Sequence, residues 1–119
     1  MWGNEPWDND AAADWFGKLL DKTDLPKHVR KTLLLSKEDD PYGENTAELR
    51  AAAYCVLQLG RVYIWPIASL KEDLQIAINA LEMVLSNEDY CYSTEIKDQI
   101  GAEKRELTSR LDRLKQASG

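Results

Sequence analysis

Three aspartates crowd the start of the chain, where Asp8, Asp10 and Asp14 lie among Trp2, Trp7, Asn9 and Trp15. Carboxylates at such spacing could hold a divalent ion or carry acid–base chemistry. A calcium loop of the EF-hand type needs glycine at its sixth position and glutamate at its twelfth. Counted from Asp8, those places hold Ala13 and Leu19, so the loop fails. On a helix, Asp10 and Asp14 are one turn apart and repel each other. Asn9 and Asp10 suit a helix N-terminus, where a side-chain oxygen meets free backbone N–H groups and the dipole favours negative charge. Capping therefore competes with ion binding, and with a partner-binding surface, for the same residues.

Nucleophilic and zinc chemistry have few side chains to draw on. His28 is the single histidine, and Cys55 and Cys91 are the two cysteines. A Ser-His-Asp or Cys-His arrangement would have to use His28, which sits in the basic run Lys27-His28-Val29-Arg30-Lys31, read here as a solvated helix face. A zinc site would need that histidine and both cysteines to converge with a carboxylate. Cys55 falls within an apolar helical pattern and reads as a small buried hydrophobe. The sequence offers no C-x-x-C pair, no G-x-G-x-x-G turn and no phosphate-cradling loop. No cofactor is expected.

Two further groups of carboxylates fall in polar loops: Glu38, Asp39 and Asp40, and then Glu88 and Asp89. Acid–base work needs opposed carboxylates in a cleft, and nothing in the spacing opposes these groups. They read as solvated acids able to steer a partner. The 119 residues carry 15 basic and 21 acidic side chains, a net charge of −6. That balance argues against a nucleic-acid backbone as partner and suits a basic protein surface. No apolar run reaches the roughly 20 residues of a membrane span. The start lacks the basic and apolar regions of a secretion signal, so a cytoplasmic location with reduced thiols is expected.

These residues must be positioned by helices. After the Trp-rich arm, Ala12, Trp15, Phe16, Leu19 and Leu20 make one apolar stripe. Trp7 and Trp15 are expected to anchor the arm on the core. A second helix restarts at Asp24-Leu25-Pro26, capped by Thr23 or Asp24, and runs to about Ser36, burying Val29 and Leu33 with Leu34 as a further candidate. Asp40-Pro41-Tyr42-Gly43 fits a β-turn. A third helix begins near Asn45 or Thr46, buries Leu49, Ala52, Ala53, Val56 and Leu57, and is expected to be central. Val62 to Trp65 reads as an apolar link ending at Pro66. Ser69 and Glu72 match a capping box and predict a fourth helix to about Leu85. Its inward face would be Leu70, Leu74, Ala77, Ile78, Leu81, Val84 and Leu85, with Lys71, Asp73, Gln75, Asn79 and Glu82 outward. A last helix starts between Asp89 and Thr94 and runs to about Gln116. Its thin stripe of Ile96, Ile100, Leu107, Leu111 and Leu114 packs on the fourth helix or forms a dimer seam.

The N-terminal motif resembles a bacterial family of uncharacterised domains that open with Trp-Gly, a spacer, an aromatic, Asn-Asp, Ala, and Asp followed by Phe or Trp. The matching residues here are Trp2, Gly3, Trp7, Asn9, Asp10, Ala12, Asp14 and Trp15. Looser matches are the Ala-rich stretch Leu49 to Leu57, the segment Ala80 to Leu85, and Leu107, Asp112 and Leu114. Where that family has Ser-Glu-Leu and a Trp after the fourth helix, this chain has Ser93-Thr94-Glu95-Ile96. The resemblance implies a small all-α domain and brings no activity.

The sequence thus predicts one all-α domain over residues 1–119, a compact bundle of about five helices with an ordered Trp-rich arm folded onto it. The role expected is a protein-binding or regulatory module: an adaptor, an immunity-type inhibitor of a basic toxin, or a sensing domain. The partner expected is a protein, with a basic one favoured over nucleic acid, no membrane, and a homodimer conceivable through the last helix. The alternative from a different class is a small-molecule or divalent-ion binder, or an enzyme, built on Asp8, Asp10 and Asp14.

Overall fold

These apolar spacings become helices in a computed structural model that describes residues 10–38 and 40–118. In chain order they are α1 (Asp10–Thr23), α2 (Leu25–Leu33), α3 (Thr46–Leu59), α4 (Ile67–Ser86) and α5 (Thr94–Ser118), with a 3-10 turn at Leu34–Lys37. No strand occurs among the described residues. The expected arm, with Trp2, Trp7, Asp8 and Asn9, lies outside them, as does Asp39.

The central helix is α4 rather than the expected α3. Both α3 and α5 pack along α4, and α2 reaches it as well. The reason lies in composition. Besides Leu70, Leu74, Ala77, Ile78, Leu81 and Val84, α4 also buries Ile76 and Ala80, so its apolar surface wraps beyond one stripe and needs neighbours on several sides. On α5, Ile100, Leu107 and Leu111 are buried. The stripe that could have served as a dimer seam is therefore covered by the chain's own core.

Several boundaries differ from expectation for local reasons. Helix α4 starts at Ile67, behind Pro66, and makes no side-chain cap there. Ser69 lies inside the first turn, its hydroxyl facing the Pro66 carbonyl at 3.4 Å, so the capping-box reading was displaced by the proline. Between α1 and α2 a single residue makes the break. Asp24 adopts φ 53°, the left-handed region that Asp tolerates better than most residues. Neither it nor Thr23 caps α2 with a side chain, and the Thr23 hydroxyl instead donates back to the Leu19 carbonyl at 2.8 Å. At α1 the expected stripe is rotated. Ala13 and Leu20 are buried, whereas Trp15 is 60% exposed with its ring edge-on to Phe16, so no core anchor is made by Trp15.

The largest correction is Asp73. Expected on the outer face of α4, it is fully buried. Its Oδ1 accepts from Arg30 Nε at 2.7 Å, and its Oδ2 accepts from Arg30 Nη2 at 3.0 Å and from Trp65 Nε1 at 2.8 Å. A buried carboxylate is tolerable when paired and hydrogen-bonded in this way. The carboxylate in turn raises the Arg30 pKa above its ordinary value, chiefly through the side-chain hydrogen bond. A parallel device ties α3 to α5. Glu103 is buried and accepts from Arg50 Nε at 3.2 Å, Arg50 Nη2 at 3.0 Å and Gln99 Nε2 at 3.1 Å, while Arg50 Nη1 reaches the Tyr90 hydroxyl at 3.4 Å.

Candidate functional site

Two loops meet at the N-terminal end of α3. The first begins as the expected β-turn, with the Gly43 N–H donating to the Asp40 carbonyl at 3.0 Å. Gly43 has φ 65°, a left-handed conformation that glycine adopts without strain. The Asp40 carboxylate then accepts from the N–H groups of Glu44 at 2.9 Å and Asn45 at 3.0 Å, fixing the entry to α3. Asp40, expected to be a solvated steering acid, is therefore half-buried and holds the loop.

The second loop, between α4 and α5, is organised by Asn87. Its Oδ1 accepts from the Tyr90 N–H at 3.1 Å, and its Nδ2 donates to the buried Thr46 hydroxyl at 2.8 Å. That bond clasps the two loops. A methyl group on Gly43 would run into Asn87 Nδ2, so a larger residue there would push the clasp apart.

Between the loops lies a cavity of about 420 Å³, lined among others by Asp40, Tyr42, Leu49, Met83, Glu88 and Asp89. The structure thus brings Asp40 to the same cavity as Glu88 and Asp89, which nothing in the sequence opposed. Glu88 and Asp89 are exposed there, as are Tyr42 and, in part, Met83. Glu38 is exposed just beyond the 3-10 turn and does not line the cavity. The cavity therefore sets carboxylates beside exposed tyrosine and methionine side chains. Asn87, Thr46 and Tyr42 were not singled out from the sequence. The signal for them was Gly43 itself, placed where a turn demands positive φ.

The remaining candidates are dispersed. Asp10 and Asp14 are exposed on α1. Among the described residues no group of three or more His, Cys, Asp or Glu side chains is placed to hold a metal ion. Cys55 and His28 do line one shallow groove between α2 and α3. Burial pushes the Cys55 thiol pKa up, the opposite of what an activated nucleophile needs. Cys91 is buried and donates from Sγ to the Val84 carbonyl at 3.3 Å, and both thiols are free. No helix is long and apolar enough to cross a membrane among the described residues.

No curated protein and no solved structure matches the chain. One family model does, over residues 1–99, and the chain belongs to that family, described as domain of unknown function (DUF4259).

Proposed function

We propose that this chain is a protein-binding module, of the adaptor or immunity type, that presents the cleft between Asp40 and Asp89 to a basic surface on its partner. The observation that carries this reading is the convergence of Asp40, Glu88 and Asp89 with exposed Tyr42 on one cavity. Rim carboxylates raise association rates with a positive surface by about 10-fold or more, through an attraction that salt screens over about 8–10 Å. The clasped loops supply rigidity, so little ordering entropy opposes binding. We take the module to work in a bacterial cytoplasm, and the Trp2 to Trp15 motif to be its family's N-terminal signature.

The test is capture on the tagged chain, followed by kinetics with the basic protein recovered. Glu88→Gln with Asp89→Asn is expected to slow association roughly 10-fold at low salt and to change dissociation little. Asp40 is spared because its carboxylate holds the loop. A control neutralising Glu95, Asp98 and Asp112, exposed elsewhere on α5, should leave the rate near that of the parent. Equal slowing by both sets would show that net charge, and not the cleft, governs encounter.

A further inference from the structure

The opposite end of α3 carries the opposite chemistry. A cavity of about 270 Å³ opens there, against the start of α4 and the last turns of α5, and Arg61, Arg110 and Arg113 line it together with Glu106. In a chain of net charge −6, that is a local concentration of positive charge.

The arginines are not held alike. Arg110 is fixed at the wall, where Nη1 donates to the Leu57 carbonyl and Nε to Glu106 Oε1 at 3.2 Å. Arg61 Nε donates to the Gln58 carbonyl at 3.2 Å. The bonds to Leu57 and Gln58 meet carbonyls in the last turn of α3, where the helix dipole favours cations. Helix capping therefore accounts for Arg61 and Arg110. It does not account for Arg113, which is 67% exposed and rests on its own helix at long range: 3.8 Å to Glu106, 3.4 Å to the Ser109 carbonyl and 3.4 Å to the Ser109 hydroxyl. Such distances lie beyond the usual hydrogen-bond range, so the guanidinium is loosely held and can turn to a better acceptor.

Burial lowers the Arg110 pKa below its ordinary value, with Arg61 and Arg113 pushing the same way against the pull of Glu106. Guanidinium forks match carboxylate and phosphate oxygens in pairs. A fixed fork at the wall and a turning fork at the mouth make a clamp for such a group.

We propose that this cavity is a binding site for a small oxyanion, a carboxylate or phosphate group, gripped by Arg110 and Arg113 with Arg61 beside them. This site is separate from the acidic cleft, and each could fail without the other.

The experiment titrates isotope-labelled full-length protein with inorganic phosphate, with acetate and with chloride, at constant ionic strength. The expected result is saturable amide shifts at Gly60, Arg61, Arg110 and Arg113 with at least one of the first two probes. Saturation by phosphate alone assigns a phosphate ligand, and saturation by acetate assigns a carboxylate. Arg113→Gln lies at the exposed mouth and should keep the parent's circular dichroism while weakening binding about 10-fold or more, the loss expected for a charge-assisted contact. Arg110→Lys keeps the charge but not the fork and should weaken binding as well. The proposal is overturned if chloride produces the same shifts as both oxyanions, if no probe saturates, or if Arg113→Gln binds as the parent does.

Discussion

At the scale of single residues, the structure turns on carboxylates that sequence patterning places outside. Asp73 sits in α4 between residues that do face solvent, Glu72 and Gln75, and aspartate is rarely buried unless paired. Its partners, Arg30 and Trp65, come from α2 and from the link before α4, so no local spacing reveals them. The same holds for Glu103, which lies among charged neighbours in the sequence and whose partner Arg50 comes from α3. By contrast, the apolar residues on α4 and the Asp40 to Gly43 turn were legible, because helical period and turn chemistry are local. Asp73→Ala strips a paired arginine and an indole N–H of their acceptor, and is expected to lower stability by about 3–5 kcal/mol in urea unfolding. Trp65→Phe removes one of three donors and should cost about 1–3 kcal/mol. If Asp73→Ala unfolds at the parent's urea midpoint, the buried pair does not hold α2 to α4.

At the scale of elements, caps and seams decide. The Ser69 capping box is a sequence pattern that Pro66 pre-empts, since proline fixes its own φ and starts the helix earlier. Ser69→Ala should therefore change stability by less than about 0.5 kcal/mol, where loss of a true N-cap typically costs about 1 kcal/mol. Asn87→Ala is the contrasting variant. It removes the bonds to Thr46 and Tyr90 and should cost about 1–3 kcal/mol, with the amide signals of Gly43 and Thr46 moving most. For α5, the thin stripe was legible but its destination was not, because period alone cannot tell an internal neighbour from a second chain. Leu107 is fully buried in the core, so Leu107→Ala should cost about 2–5 kcal/mol, with a urea midpoint independent of protein concentration. A midpoint that rises with concentration would mean the stripe is shared between chains.

At the scale of the whole molecule, α3 separates two charged ends. Its 14 residues span about 21 Å. Asp40, Glu88 and Asp89 gather at its start, and Arg61, Arg110 and Arg113 gather at its end. Composition shows the net charge but not this polarity, which arises when the antiparallel α3 and α4 bring distant loops together. The central claim is that the acidic end is the recognition surface. The most direct test is a titration of isotope-labelled protein with a short lysine-rich peptide at low and at physiological salt. The account predicts saturable shifts at Tyr42, Gly43, Thr46 and Asn87 through Asp89, weakened by salt and abolished by Glu88→Gln with Asp89→Asn. Shifts centred on Asp10 and Asp14, or spread evenly over every exposed acid, would contradict it.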